Sequence, residues 1–192
     1  MKKYRFIYQF KLKRQIKNLL HQRGSLVEEE LHGTICLIAY LKGVLQMTEQ
    51  LIVRDEILIE ANSQKVWEVL TKPKYVAEWD ELPENYPNED MTEGSKVIWD
   101  LPNGGQSITK IIRAVVQKEL KIALHVSNWE VKPNEGDVAY NYNLKDKGDS
   151  TLLRIEIGDF SLIKDGKMYY DASVEFASNS KQIIKKLSEN LG

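Results

Sequence analysis

The sequence has almost no cysteine, and this scarcity excludes a disulfide-stapled scaffold. Cys36 is the only cysteine among 192 residues, so no disulfide can form within the chain. No apolar run approaches the roughly 20 residues that a membrane-spanning helix requires. Histidine is also scarce, and the three that occur have no zinc-site spacing with the cysteine. The hydrophobic content of 42% excludes global disorder, so the composition predicts a globular protein without a metal site.

Net charge is low only on average, because two regions of opposite sign cancel. Residues 1–46 contain nine Lys and Arg against three Glu, which gives a formal charge of +6. The remaining residues contain 18 basic and 25 acidic side chains, which gives −7 and a net charge of −1. All four tryptophans and all five prolines lie after Met47. We therefore divide the chain into a basic extension, residues 1–46, and an acidic domain, residues 47–192.

The basic extension has no motif that identifies a function. A nucleic-acid arm, a membrane-surface helix and a solvated, disordered segment are all compatible with its Lys and Arg residues. A signal peptide fits poorly, because the only long apolar run, Ile35–Leu41, follows three glutamates and lies far from the start. We favour a further hypothesis. Lys42-Gly43-Val44 can be encoded by a purine-rich ribosome-binding site, which would place the natural translation start at Met47 and make the extension an upstream read-through.

The acidic domain begins with patterns that predict a strand and two short helices. Ile52–Glu60 alternates in its later part, as a half-buried strand does. Asn62 or Ser63 can cap the first short helix. Pro73 can begin the second, which continues to Trp79. An acidic, loop-like segment then separates these elements from the rest of the domain.

The second half of the domain predicts about five strands and one long helix. Short alternating segments are joined by turn signals such as Asn103-Gly104-Gly105, so the strands are expected to form an antiparallel meander. Apolar residues recur at helical spacing over Lys167–Leu191, which predicts an amphipathic helix. A sheet with one apolar face needs a cover, and this helix supplies one. The predicted fold class is therefore α+β, with a curved antiparallel sheet wrapped around the C-terminal helix.

The opening of the domain resembles the helix-grip proteins of the START-like superfamily, also called SRPBCC. In that pattern a strand ends in an alanine, a polar or proline pair follows, and a Val-Trp helix leads to a tryptophan after a second short helix. The matching residues are Ala61, Val66, Trp67, Leu70 and Trp79. Gly158-Asp159-Phe160, near the end of the last strand, is a weaker match to the same family pattern. The closest branch is the one named after the activator of the Hsp-90 ATPase, and the resemblance covers about residues 51–191.

The resemblance implies a deep cavity between the sheet and the long helix that binds apolar or amphipathic small molecules. Some relatives in the superfamily are cyclases or hydrolases, and others carry ligands or bind partner proteins. The function expected here is ligand binding without a cofactor, in the cytoplasm, by a monomer or homodimer. Two alternatives stay open: a cyclase- or hydrolase-type enzyme that uses the same cavity, and a module that binds an Hsp-90-type chaperone. No nucleic-acid partner is expected, because the domain is acidic.

The alternation of the strands predicts which side chains face the cavity. Aromatic rings with a polar tip suit the orientation of a ligand, and aliphatic neighbours suit its burial. Plain core packing is the competing interpretation for each residue. The predicted ligand-binding residues are Trp79, Trp99, Leu124, Tyr140, Tyr142, Ile155 and Tyr169.

No catalytic group stands out from the sequence. His125 is the only histidine in the domain, and the alternation places it on the outer face of its strand with Lys121. The carboxylates between Asp80 and Glu93 lie in a polar loop, where solvation is the simpler interpretation than general acid–base chemistry. The sequence therefore assigns no catalytic residue and does not identify an enzyme.

Overall fold

A computed structural model describes residues 50–102 and 104–191, so the interpretations of residues 1–46 lie outside the described residues. The sheet has six strands in the order β1-β6-β5-β4-β3-β2, and every neighbouring pair is antiparallel. This architecture confirms the predicted helix-grip fold. The elements in chain order are β1 (Val53–Ile59), α1 (Ser63–Thr71), α2 (Pro73–Trp79), β2 (Lys96–Asp100), β3 (Gln106–Val115), β4 (Glu119–Val126), β5 (Ala139–Asp146), β6 (Thr151–Gly158), a 3-10 helix (Phe160–Leu162) and α3 (Gly166–Glu189).

Local chemistry explains the two short helices. The Asn62 side chain accepts a hydrogen bond from the Lys65 backbone N–H at 3.1 Å, so Asn62 is the N-cap of α1. Pro73 occupies the first turn of α2, where its missing N–H costs nothing. The indole N–H of Trp79 donates to the carbonyl of Val69 at 3.0 Å, which ties the end of α2 back to α1.

The inner face of the sheet follows the predicted alternation. Ile122 pairs with Tyr140, and Tyr140 pairs with Ile157, so these three side chains lie side by side on one face. Ile155 and Ile157 are fully buried there. The outer face carries polar and charged residues, including the cross-strand pair Arg154–Glu56. A β-bulge between Ile111 and Arg113 shifts the register of β3 against β4, a feature that the alternation did not predict.

The long helix packs mainly through small side chains, and Ile184 is the one large residue of the predicted stripe that is fully buried. Its most buried positions are Gly166, Ser173, Ala177, Ser180, Ile184 and Ser188. The large apolar residues of the predicted stripe are mostly half-buried, and Val174 is 43% exposed. Small side chains allow the backbone of α3 to approach β1, α1 and α2 closely. Gly166 is required at the start, because a Cβ there would lie 1.7 Å from the carbonyl oxygen of Phe160.

Polar contacts fasten α3 to β1. The Lys181 ammonium contacts both carboxylate oxygens of Asp55 at 2.6 Å, and both side chains are largely buried. Lys185 donates to the carbonyl of Leu58 at 2.8 Å, and the Glu60 backbone N–H donates to Glu189 at 2.8 Å. The helix therefore lies over the β1 side of the sheet.

Candidate functional site

The inner face of the sheet has a closed side and an open side. On the closed side, formed by β1 and β6, the inward residues Ile59, Leu153, Ile155 and Ile157 are fully buried. On the open side, apolar side chains that point inward are only half-buried. These residues, which we call the open-side residues, are Trp99, Leu101, Ile122, Leu124 and Tyr140.

The opening is local, because Val97 and Val126 on the same strands are buried. The position of α3 explains the difference in burial between the closed side and the open side. The main packing partners of α3 are β1, α1, α2 and the 3-10 helix, and β2, β3 and β4 are not among them. The open-side residues therefore form an apolar, partly aromatic surface, which Phe176 of α3 contacts at Tyr140.

Aromatic side chains of α3 and of the neighbouring loop border the open side. The Phe176 ring meets Tyr140 edge-on, with ring centroids 5.8 Å apart. Tyr169 lies between Trp129 and Phe160, with centroid distances of 5.9 Å to each ring. Burial raises the pKa of the Tyr169 hydroxyl, and the nearby Trp129 indole opposes that shift. Tyr169 is therefore protonated at neutral pH and can donate a hydrogen bond.

The structure separates the seven predicted ligand-binding residues into two groups. Trp99, Leu124 and Tyr140 belong to the open side, and the half-buried Tyr169 lies on α3 beside the aromatic rings that border it. Three others lie in the packed interior: Trp79, Tyr142 and Ile155. The rings of Trp79 and Tyr142 meet edge-on at 5.7 Å, which accounts for both as core residues. These placements show which residues lie next to one another. Ligand contact by any of the seven residues stays a prediction.

The interior tyrosine has an unusual environment. The Tyr142 side chain is 1% exposed, and burial raises the pKa of its hydroxyl well above the ordinary value of 10.0. The carboxylate of Asp80 adds to this shift, because a second negative charge disfavours a phenolate. Tyr142 therefore remains neutral throughout the physiological pH range.

Sequence reasoning missed part of the aromatic border. Trp129 follows β4 in a loop and is 7% exposed, and its ring lies 5.9 Å from Tyr169 and 6.1 Å from His125. A tryptophan in a polar loop is a usable signal, because a side chain of this size rarely stays in water. The sequence does place Phe176 on the helix side of the predicted cavity, within the apolar stripe of α3, and only its distance to Tyr140 depends on the path of the helix over the sheet.

Two titratable residues outside this surface, His125 and Asp159, have structural surroundings that account for them. His125 is half-buried on the outer face, where it pairs across the strands with Ile108. Asp159 accepts hydrogen bonds at 2.9 Å from the backbone N–H groups of Leu51 and Ser161. Burial favours a higher pKa for Asp159, but these hydrogen bonds outweigh it and lower the pKa. Asp159 therefore caps the 3-10 helix and secures the beginning of β1.

Metal clusters, membrane-spanning helices and surface depressions are further features that bear on function. Across residues 50–102 and 104–191, no group of three or more His, Cys, Asp or Glu side chains could hold a metal ion. In the same part of the chain, no helix combines the length and apolar character needed to cross a membrane. A polar surface depression of about 390 Å³ lies next to the bulge of β3 and contains Lys110 and Glu135, which form an ion pair at 2.9 Å.

Known structures resemble this domain in fold. The crystal structure of protein MLL2253 from Mesorhizobium loti has a TM-score of 0.56 at 17% identity and covers 73% of this chain and 98% of its own. The solution structure of the Aha1 dimer from Colwellia psychrerythraea gives 0.54 at 17% identity, with the same coverage. A START superfamily protein from Mycobacterium smegmatis gives 0.50 at 14% identity and covers 73% of this chain and 99% of its own. At these identities the likeness shows the fold alone.

The family assignment comes from the sequence itself. No match was found among the curated proteins. The model of the family described as Activator of Hsp90 ATPase homolog 1-like protein matches residues 60–192, which is more than half of the chain. This match includes α1, α2, five of the six strands and α3, and the fold is that of the START-like superfamily. The chain therefore belongs to the Activator of Hsp90 ATPase homolog 1-like family.

Proposed function

We propose that the domain binds an apolar or amphipathic small molecule between the open side of the sheet and α3. The observation that supports this proposal is the set of open-side residues, which leaves apolar area on the inner face only half-buried. Family membership supports a domain of the ligand-binding START type. Ligand sites are mostly apolar, with a few placed polar groups. The Tyr140 and Tyr169 hydroxyls and the Trp99 indole would supply those groups.

Burial of apolar surface would supply the affinity. Removal of apolar area from water contributes about 25 cal/mol per Å², and several half-buried side chains would share this gain. A ligand that covers Tyr140 and Leu124 would complete the burial that α3 leaves unfinished. The hydroxyl of Tyr140 would then fix the orientation of a polar group on the ligand.

Titration with a neutral fluorescent probe, N-phenyl-1-naphthylamine, tests this proposal on the full chain. We expect saturable binding by the wild-type protein and about tenfold weaker binding by Tyr140→Ala, because the substitution removes one wall and one polar tip. Tyr75→Ala is the matched control, since Tyr75 is a half-buried tyrosine on α2 that Lys74 covers. Equal affinity in both variants would contradict a role for the open side.

A variant that fills the site separates ligand binding from stability. Leu124→Trp adds bulk on the open side, so it should weaken probe binding while the midpoint of urea unfolding stays the same or rises. If it weakens binding only in proportion to a loss of stability, the probe reports partial unfolding and the proposal fails. Native mass spectrometry of freshly purified protein would then identify any molecule that the chain retains.

The family description supports a second candidate, a module that binds an Hsp90-type chaperone. A pull-down with the chaperone from the same organism distinguishes the two functions. Retention of the chaperone by Tyr140→Ala, together with loss of probe binding, would show that the two activities use different surfaces.

The proposed functional unit is residues 47–192, in the cytoplasm, as the sequence indicates. The described elements from β1 to α3 and the family match to residues 60–192 all lie within this unit. An enzyme of the cyclase or hydrolase type remains the further alternative. It requires a buried acid, base or nucleophile on the open side, and a reaction with a screened substrate would reveal it.

A further inference from the structure

The two edges of the sheet differ in whether their backbone groups have partners. On β1, the Glu56 N–H donates to Asp55 at 2.8 Å, and contacts from α3 occupy the carbonyl of Leu58 and the N–H of Glu60. Side chains therefore block this edge against a further strand. On the opposite edge, β2 has β3 on one side and, within the part of the chain that the structure describes, no strand on the other.

The register of β2 shows which of its backbone groups point outwards. Leu101 donates to the carbonyl of Gly105 at 2.9 Å, and Ile111 donates to that of Ser95 at 2.9 Å, so Ser95 and Leu101 bond towards β3. Backbone direction alternates along a strand, so Val97 and Trp99 also bond towards β3. The N–H and C=O groups of the alternate residues, Lys96, Ile98 and Asp100, point away from the sheet.

We propose that β2 is a dimerisation edge that pairs antiparallel with β2 of a second copy of this chain. A two-fold axis at Ile98 places Ile98 opposite the partner's Ile98. The same axis places Lys96 opposite the partner's Asp100, and Asp100 opposite the partner's Lys96. Each of these residues would exchange both backbone hydrogen bonds with its opposite residue. The two sheets would join into one continuous sheet.

The side chains of β2 are complementary to themselves in this register. Lys96 and Asp100 are exposed and would form an opposite-charge pair at each end of the contact. Lys96 lies opposite Lys110 of β3, whose ammonium already pairs with Glu135, so a carboxylate from a partner would give Lys96 a counter-charge of its own. Asp100 already accepts a hydrogen bond from Gln106 at 3.1 Å, which holds its carboxylate on the outer face.

An apolar contact would occupy the centre of the pairing. The Ile98 side chain is 45% exposed, although an isoleucine in an edge strand favours pairing. Two β-branched side chains directly opposite each other stabilise an antiparallel pair. A contact of five residues is small for a protein interface, so the dimer should be weak and should form at high protein concentration.

Sedimentation equilibrium of the full chain measures this association. We expect a monomer–dimer equilibrium that Ile98→Lys abolishes, because two lysines would meet at the axis. Leu58→Lys is the matched control: Leu58 is 46% exposed on the outer face of the other edge strand. Far-ultraviolet circular dichroism verifies that both variants are folded. A wild-type monomer at every concentration, or an Ile98→Lys dimer, would overturn the proposal.

A charge-reversal cycle tests the register. Lys96→Asp and Asp100→Lys each place like charges opposite one another, so each should weaken dimerisation about tenfold. The double variant K96D/D100K restores opposite charges and should return the dissociation constant to within about threefold of wild type. Additive weakening in the double variant would contradict antiparallel pairing about Ile98.

Amide hydrogen exchange identifies what covers the edge. Protection of the Lys96, Ile98 and Asp100 amides should increase with protein concentration, and the Val97 amide should not respond. Protection that is equally strong at all concentrations would show that a segment of the same chain covers β2. This result would overturn the proposal.

Discussion

The closed and open sides of the inner face use similar apolar residues but reach different degrees of burial. Ile155 and Ile157 on β6 are fully buried, and Ile122 and Leu124 on β4 are half-buried, although the alternation of both strands is equally regular. The difference comes from α3, which lies over β1 and is fastened there by Lys181. Strand alternation decides which face a residue joins, and the position of the covering helix decides whether that face is sealed.

The largest expected effect tests whether the closed side is the structural core. Ile155→Ala should lower the free energy of unfolding by about 2–5 kcal/mol, because the lost methyl groups leave a cavity in a sealed interior. Leu124→Ala should cost only about 1 kcal/mol, since a half-buried side chain leaves no closed cavity. Urea unfolding measures both values. Similar losses for the two variants would show that the open side is as tightly packed as the closed side.

The next effect tests what holds α3 on the closed side. Lys181→Met leaves the Asp55 carboxylate in a largely buried position without its cation, so unfolding should become easier by about 1–3 kcal/mol. Lys167→Met is the matched control on the same helix, because the Lys167–Asp171 pair is exposed. We expect that control to stay within about 0.5 kcal/mol of wild type.

Probe binding adds a second measurement to the Lys181 variant. If the ion pair positions α3, then Lys181→Met should also change the affinity for the neutral probe, since Phe176 of the same helix contacts Tyr140 on the open side. Unchanged stability in Lys181→Met would show that packing alone positions the helix. The difference in burial between the closed and open sides would then need another explanation.

The sequence predicts local features of this fold better than it predicts how deeply each side chain is buried. Asn62 and Pro73 act on their own helices, and the alternation around Tyr140 depends only on strand geometry, so these features were predictable. The burial of Ser173 was not, because a serine is buried only when a backbone approaches closely. Trp129 belongs to the aromatic border through a loop conformation, which no periodicity reports.

The candidate site shows the same division. Trp99 and Tyr142 satisfy the same sequence criterion, an aromatic ring with a polar tip at an inward position. The structure leaves Trp99 half-buried at the open side and buries Tyr142 against Trp79. Contact with Trp79 of α2 distinguishes Tyr142, and this contact follows from tertiary packing rather than from the local sequence.

The smallest expected effect is a change in the pH dependence of stability at high pH. Tyr142 reports on the packed interior, and Tyr169 reports on the border of the open side. Burial raises the pKa of Tyr142 well above 10.0, and it raises that of Tyr169 less strongly. A hydroxyl whose pKa is higher in the folded state keeps its proton after the unfolded chain has lost it. Its contribution is complete below the unfolded pKa, near 10, and stability falls as the pH rises above that value, by at most about 1.4 kcal/mol per pH unit and per group.

Phenylalanine substitutions isolate these contributions, because they remove the hydroxyl and keep the ring. Tyr142→Phe should flatten the fall in stability between pH 10 and the pKa of the folded state, and Tyr169→Phe should flatten it less. Thermal unfolding at a series of pH values from 7 upward measures both slopes, and the two variants should behave alike at neutral pH. Equal flattening would mean that Tyr169 is as thoroughly removed from water as Tyr142. The aromatic border beside α3 would then be as deeply buried as the interior, and the open side would consist of the open-side residues of the sheet alone.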